Sequence, residues 1–511
     1  MMRISFGSLP SMSALFLDYV NAWDHVRNFY PQNYSIESVV SFARARKPLD
    51  ARHRETLVTA LAAQQRHWGG ELSGTDKLAA GAVAVITGQQ AGLFSGPNYT
   101  ILKALTVIKL ARAINEAGVS AVPVFWIAAE DHDYQEIESA AVLDRDSAVR
   151  HFRVNLANDE GMPSGWLSLK DDVFATISNV VESLPDSEFR PALQDLLTHS
   201  YKPGLSPVDA FGRMMAKLFE GFGLVLVNPI DPELRKLAMP TLHEIVRQNP
   251  QIRSAVLARN RALSDAGYHE QVKVDENFTG VFTYRDKSRQ PLRPNELTTD
   301  LALSANVLTR PVIQDAMFPT AAYIGGPAEI AYFAQAAAVY ETLGRPVPPV
   351  YPRISATLLE PRVSRGLKKY EMEVLDVFRG RDFMKHKAVA TVQGVELFDR
   401  ARDRIVAELE SLRPALTSVD TTLGGALDTS QQKVLHQIDT LRTKFVNAEA
   451  RRNETLERQL EVIGNSLFPE KKLQERVLNI TSFLARYGFS IIPHLEQSLD
   501  LDSRRHQVIE I

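Results

Sequence analysis

Not one cysteine occurs in the 511 residues, which removes a disulfide framework, a thiolate-bound zinc and a cysteine nucleophile from consideration together. Neither sign of charge is in marked excess. The 58 Lys and Arg against 61 Asp and Glu leave a formal net charge of −3, so nothing in the balance calls for nucleic acid as a partner. No stretch reaches the apolar length of a membrane-spanning helix, so no membrane partner is expected either. Residues 12–20 have a short apolar character, but Asp18 interrupts them and no cleavage-like site follows, so they read as a first core helix. These absences point to a globular protein with a cytoplasmic location. With 45% hydrophobic residues there is ample material for a large core, divided on length alone into roughly three structural units.

What is present is a strand, turn, helix, strand pattern that occurs twice. In the first copy residues 83–87 form a buried strand, and Gly88, Gly92 and Gly96 open a turn. Pro97 takes the first helical position, where its missing N–H costs nothing, Gly118 ends the helix, and residues 122–128 return as a strand. The second copy has residues 321–324 as strand, Gly325, Gly326 and Pro327 as turn, 328–342 as helix, Gly344 as its stop and 347–351 as the next strand. Such units pair their strands in parallel through right-handed crossovers. Ligands in open parallel sheets lie beyond the carboxyl ends of the strands. Both glycine turns are therefore expected to share one crevice with the cluster Glu130, Asp131, His132 and Asp133 that follows the first copy. Residues 223–231 read as a further parallel strand with a polar exit, and the less regular stretches 145–169 and 269–303 as insertions on the sheet.

The last third changes character. From about residue 383 to 468 glycine and proline thin out, and Val434, Ile438, Leu441, Phe445 and Ala448 alternate steps of four and three, the seam of a coiled coil. Arg452 breaks the seam and Leu456, Leu460, Ile463 and Leu467 resume it in a shifted frame. A helix over 431–467 would be about 55 Å long at roughly 1.5 Å per residue. With the amphipathic stretch 395–412 and a connection around Gly424 and Gly425, it predicts a projecting helical hairpin. Residues 473–487 predict another helix and 491–493 a short strand returning to the core.

The glycine spacing matches neither the dinucleotide fingerprint nor the P-loop, and a tight turn alone would explain it. A functional reading gains from the company: Gln89, Gln90, Asn98 and Tyr99 surround a helix start whose free N–H groups favour an anion, and Lys103 shares a helical face with Tyr99. In the cluster at 130–133 three carboxylates and an imidazole need a cation, an ammonium group or a shared proton to offset them. They fit binding and deprotonation of an amine, with His132 as alternative base, or Mg²⁺ held through oxygen ligands; a solvated loop cap is the plainer alternative. Zinc is disfavoured, since no second histidine stands at helical ligand spacing. Glu329 in a first helical turn suits dipole stabilisation as well as a ligand, with Tyr332 and Gln335 on nearby faces. Arg353 at a strand end offers bidentate recognition of carboxylate or phosphate, or else a surface ion pair, and Ser355 and Thr357 add hydroxyls.

Five long motifs carry a specific resemblance: Thr87-Gly-Gln-Gln-Ala-Gly-Leu-Phe-Ser-Gly-Pro97, Phe125-Trp-Ile-Ala-Ala-Glu-Asp-His-Asp133, Pro319-Thr-Ala-Ala-Tyr-Ile-Gly-Gly-Pro-Ala-Glu-Ile-Ala-Tyr332, Pro352-Arg-Ile-Ser-Ala-Thr-Leu-Leu-Glu360 and Leu467-Phe-Pro-Glu-Lys-Lys-Leu-Gln-Glu-Arg476. Together they span most of the chain, which resembles the bacillithiol biosynthesis cysteine-adding enzyme family of cysteine ligases. The resemblance implies an α/β fold with a Rossmann-like parallel-sheet core, connecting insertions and an α-helical coiled-coil domain that mediates homodimerisation. On this chain that gives a core over 1–380 with insertions near 145–200 and 265–310, a coiled-coil hairpin over 381–468, and a segment over 469–511 returning to the core. It also implies cysteine and glucosaminyl malate as substrates in the last step of bacillithiol synthesis.

Joining a carboxylate to an amine in water requires an activated acyl group, and without a thiol no thioester can form on this chain. ATP or ADP is therefore the expected nucleotide, through an acyl phosphate or adenylate, with Mg²⁺ left open. The catalytic candidates are Glu130, Asp131, His132 and Asp133. The substrate- or nucleotide-binding candidates are Gly88, Gln89, Gln90, Gly96, Asn98, Tyr99, Lys103, Tyr323, Gly325, Gly326, Glu329, Tyr332, Arg353 and Ser355, with Arg353 as a holder of the malate carboxylate. Two other classes fit the residues: a metal-dependent nucleotidyltransferase or hydrolase, and a non-catalytic coiled-coil ligand-binding protein.

Overall fold

The computed structural model describes residues 2–157, 161–389, 395–452 and 454–511, so residues 158–160 of the first expected insertion and 390–394 and 453 of the helical third lie outside it. The chain forms two compact units: Met1–Arg145, Val149–Thr357 and Glu475–Ile509 make the first, and Asp146–Ala148, Leu358–Gln474 and Glu510–Ile511 the second.

The first unit is organised by five parallel strands: β1 (Val83–Gln89), β2 (Ala121–Ile127), β3 (Val225–Val227), β4 (Thr320–Gly325) and β5 (Val350–Pro352), in the order β5-β4-β1-β2-β3. All seven residues of β2 are buried, and so are the first five of β1. Such unbroken apolar runs mark strands covered on both faces, as expected of parallel sheets. Helix α1 (Tyr99–Glu116) links β1 to β2, and a second long helix, named below, links β4 to β5. The two connections run in opposite directions across the sheet, so the strand order reverses between β1 and β4. That makes a topological switch point.

Pro97 does not open α1. The chain first makes a 3₁₀ turn at Leu93–Ser95, and Phe94 (φ 52°), Ser95 (φ 77°) and Gly96 (φ 71°) all lie in the left-handed region, which delays the helix to Tyr99 with Asn98 as its N-cap. Two non-glycine residues held there cost of order 1–3 kcal/mol each. Asn479 offsets that cost: its buried amide donates to the carbonyls of Leu93, Phe94 and Gly96 at 3.1, 2.8 and 2.8 Å. A β-carbon on Gly92 would stand 2.7 Å from the Gly96 Cα, so the turn closes only with glycine at 92.

The stretch after residue 139 carries two antiparallel pairs, Ser139–Leu143 with Val149–Arg153 and Leu156–Ala157 with Ser168–Leu169. The later irregular stretch supplies a three-stranded antiparallel sheet of Val281–Arg285, Ser288–Pro291 and Leu303–Ala305. Helix α2 (Arg310–Met317) then leads into β4, and α3 (Pro327–Thr342) follows it. Glycines at φ +81° (Gly118) and +62° (Gly344) end α1 and α3, as the spacing predicts.

Two expectations for the C-terminal segment fail. Residues 491–493 are helical, in Ile491–Ser498, because Pro493 falls in the first turn, where a missing N–H is tolerated. The terminal strand is instead His506–Glu510, antiparallel to Met2–Ile4. The expected helix over 473–487 is a 3₁₀ turn at Gln474–Arg476 and a helix only from Thr481, since Asn479 turns the chain by accepting from the Thr481 N–H at 2.9 Å.

In the second unit α4 (Val395–Ser411) packs against α5 (Leu423–Arg452), with the Phe398 and Phe445 rings 5.3 Å apart and Arg402 paired to Asp439 at 3.0 Å. Gly424 and Gly425 lie inside the first turn of α5, not in the connection, which is made by residues 412–422 and includes the short helix Arg413–Val419. The expected continuous helix over 431–467 is described as α5 and α6 (Glu454–Leu467). Leu456, Leu460, Ile463 and Leu467 are buried, whereas Val434 and Leu441 are 39% and 55% exposed. Among the described residues no helix is long and apolar enough to cross a membrane.

Candidate functional site

At the switch point, the carboxyl ends of β1, β2 and β4 open onto one cavity of about 320 Å³. The first glycine turn contributes Gly88, Gln89 and Gln90, α1 contributes Tyr99 and Lys103, and the second unit of the repeat contributes Tyr323, Gly326, Glu329 and Tyr332. Arg353, after β5, and Asp131, after β2, also reach it. Gly96, Asn98, Gly325, Ser355, Glu130, His132 and Asp133 do not line it.

Lys103 ties the two halves together. Its ammonium donates to the Gly88 carbonyl at 2.7 Å and to Gln89 Oε1 at 2.9 Å, and stands 2.8 Å from Glu329 Oε2. Three donors meet three acceptors, so the charge foreseen for a phosphate is already engaged. Burial lowers the Lys103 pKa, against the opposing pull of Glu329. Glu329 also accepts from the Gly326 N–H at 2.8 Å and from the Tyr323 hydroxyl at 3.2 Å, so it is helix cap and cavity wall at once. Gln89 donates to the Tyr99 hydroxyl at 3.1 Å.

Arg353 is a buried fork, not a surface pair. Its two terminal nitrogens meet Glu475 at 3.1 and 2.6 Å. Glu475 further accepts from the Ser355 hydroxyl at 3.0 Å and the Ala356 N–H at 2.9 Å. Burial would raise this carboxyl, but Arg353 outweighs it and holds the pKa at about 2. The carboxylate that Arg353 grips is thus the chain's own. Ser355 stands behind the cavity, its hydroxyl 2.8 Å from His506 Nδ1, while Thr357 meets His506 Nε2 at 2.8 Å.

Burial pushes His506 down to about 4 from 6.5. The unfolded chain then takes up a proton that the folded chain refuses, so this contribution is complete above pH 6.5 and is lost as pH falls towards 4. Glu475 adds a second loss between pH 4.5 and about 2. Urea unfolding at pH 5 is expected to show about 2 kcal/mol less stability than at pH 7 from His506 alone. The variant His506→Gln should flatten that slope; a slope equal to the parent's would assign the acid sensitivity elsewhere.

The acidic cluster separates on folding. Glu130 is buried and accepts from the Tyr284 hydroxyl at 3.1 Å, and burial raises its pKa. Asp131 pairs with Arg289 at 3.1 Å and with Arg310. His132 and Asp133 are exposed. The cation that the cluster requires is therefore supplied by arginines from α2 and the antiparallel insertion. Among the described residues no three His, Asp or Glu side chains converge on a metal position.

Five polar or aromatic cavity residues escaped the sequence reading: Trp126, Glu136, Arg310, Gln314 and Arg476. Trp126 and Arg476 stood inside the long motifs, but as a strand residue and as a terminal charge. Arg310 and Gln314 are one turn apart on α2, a spacing that puts them on one face without indicating which way it points. Glu136 is exposed as a residue; desolvation of its carboxyl, then the charges of Asp133 and Asp131, raise its pKa. Arg476 is exposed with no ion pair among the described residues.

The family description "Bacillithiol biosynthesis BshC, N-terminal Rossmann-like domain" matches residues 2–300 and 296–354, and "Bacillithiol biosynthesis BshC, C-terminal coiled-coil domain" matches 356–511. Relatives named "Putative cysteine ligase BshC" include the following three. That of Koribacter versatilis is 34% identical, covering 99% of both chains; that of Salinibacter ruber is 34% identical over 99% of this chain and 97% of its own. That of Solibacter usitatus is 35% identical over 98% of each.

Proposed function

Because the chain belongs to the bacillithiol biosynthesis BshC family, we propose that it is a cysteine ligase acting in the cytoplasm, which joins the carboxyl of cysteine to the amine of glucosaminyl malate. The observation that carries this reading is the convergence of both glycine units on a single cavity that offers carboxylates to an amine and a spare cation to an anion.

An amine attacks only when neutral, so the site needs a base. The Asp131 carboxylate is occupied by two guanidiniums, and His132 does not line the cavity. Glu136 lines the cavity with a raised pKa, which suits it to take the ammonium proton. Arg476 and the free nitrogens of Arg310 suit the malate carboxylates or a phosphate. ATP, when bound, would supply the leaving group for the cysteinyl oxygen, and those two arginines are the side chains that fit its phosphates. Incubation of the purified protein with cysteine, glucosaminyl malate and ATP, with and without Mg²⁺, should yield the amide by mass spectrometry; no amide under any combination would end the ligase reading.

The second unit supports assembly of two copies through the hairpin. Leu397, Leu412, Val434 and Leu441 are each 39–57% exposed, an apolar display that a second α4–α5 pair would cover. Val434→Glu with Leu441→Glu should halve the mass seen by light scattering. A parent protein that is already monomeric would refute the dimer.

A further inference from the structure

The ammonium of Lys103 can only donate, so the side-chain oxygen of Gln89 turns towards it, at 2.9 Å. That orientation sends the Gln89 amide nitrogen the other way, to the Tyr99 hydroxyl oxygen at 3.1 Å. Tyr99 is thereby held as an acceptor, and its own proton is left over. No acceptor for that proton stands among the described residues. On the other side of Lys103 the bonds continue to Glu329 at 2.8 Å and from it to Tyr323 at 3.2 Å. Tyr323 gives its proton to Glu329, whereas Tyr99 keeps its own. All five side chains line the cavity, and Tyr99 is only half-buried, so it retains surface there.

The charges of Glu136, Arg353, Arg476 and Glu329, all of them cavity residues, act on the Tyr99 hydroxyl. Burial and the Glu136 carboxylate push its pKa far above neutrality despite Arg353 and Arg476, so the phenol keeps its proton at any working pH. The Arg353 guanidinium lies over the ring, 5.8 Å from its centroid, and Lys103 polarises the hydroxyl through Gln89, which strengthens donation along the chain. Such a donor suits an oxygen that gains charge. When the amine adds to a cysteinyl carboxyl activated by a nucleoside triphosphate, its lone pair forms the C–N bond and the carbonyl π pair moves onto oxygen. As that pair returns, the bond to the leaving oxygen breaks and that oxygen keeps the electrons. The ammonium proton passes to Glu136, and the Tyr99 proton stays on Tyr99. Resting on the ligase reading, we propose that Tyr99 is a catalytic residue that donates to the cysteinyl carbonyl oxygen as it becomes negative, with Gln89 and Lys103 as the positioning residues that leave its proton free.

Tyr99→Phe removes the hydroxyl alone. In assays with cysteine, glucosaminyl malate and ATP, its kcat should fall about 100- to 1,000-fold, with each KM little changed. A second readout needs no turnover. The phosphonamidate in which tetrahedral phosphorus replaces the cysteine carboxyl carbon of the product should, by calorimetry, bind the variant more weakly by the same factor, while cysteine and glucosaminyl malate bind both proteins equally. Gln89→Glu places a carboxylate that accepts from Lys103 and Tyr99 alike and so takes the proton. It should reproduce both losses at the parent's melting temperature and add nothing to Tyr99→Phe in the double variant. A raised KM with unchanged kcat in Tyr99→Phe would make the hydroxyl a holder of bound substrate and overturn the assignment. Equal kcat and equal analogue affinity in parent and Tyr99→Phe would overturn it while leaving the ligase reading intact. Losses that multiply in the double variant would overturn the positioning roles. A parent that forms no amide would overturn the ligase reading and the assignment with it.

Discussion

Glu136→Gln is expected to lower kcat for amide formation by about 10²–10⁴-fold, the range that a positioned general base contributes, with KM for the acceptor little changed. The acid limb of the pH–rate profile should disappear with the carboxyl. Stability should move the other way. Desolvation of the carboxyl and the Asp133 and Asp131 charges raise the folded pKa of Glu136 above 4.5, so the folded chain binds this proton more tightly than the unfolded one, and stability falls as pH rises through that window. At neutral pH the charged carboxyl is a liability, and its amide should leave the melting temperature equal or higher. Loss of activity together with loss of stability would show a structural role. A kcat equal to the parent's would remove Glu136 from the chemistry.

Asp131→Ala should destabilise the first unit by about 3 kcal/mol in urea unfolding, because it leaves buried guanidiniums without their counter-charge. Arg289 has only 4% of its side chain exposed and Arg310 19%. Arg289 retains the Ser304 hydroxyl at 3.1 Å and the Ala305 carbonyl at 2.6 Å, but neither carries a negative charge. Removing the cation as well, in Asp131→Ala with Arg310→Met, should recover part of the loss, as coupled neighbours do. A loss below about 1 kcal/mol, the value of a solvated pair, would mean that water reaches the arginines and that the cluster is solvated. Activity should fall in the single variant too, since Arg310 would be released within the cavity.

Local pattern carried much of the architecture. The unbroken apolar runs around Val83 and Val122 could be little else than strands covered on both faces, and glycines 118 and 344 end their helices because only glycine takes those positive φ values easily. The same local logic misplaced the start of α1, since Phe94 and Ser95 adopt left-handed backbone that their residue types disfavour. Asn479, some 380 residues away in sequence, holds them there. It also assigned 491–493 to a strand on apolar content alone, although helix and strand are not distinguishable in so short a run.

By itself the sequence determined the doubled strand–helix pattern, the helical hairpin and the meeting of the two glycine turns, since these follow from apolar period and from the rule that parallel strands deliver their ends to one side. The tertiary structure alone decided which charges are free. Lys103 and Arg353 promised anion binding as isolated residues, yet folding brings Glu329 and Glu475 to them, while Glu136, Gln314 and Arg476, unremarkable in sequence, are left lining the cavity. The physical reason is that a charge or an amide acts through its unsatisfied donors and acceptors, and satisfaction depends on partners from distant segments, which no local spacing records.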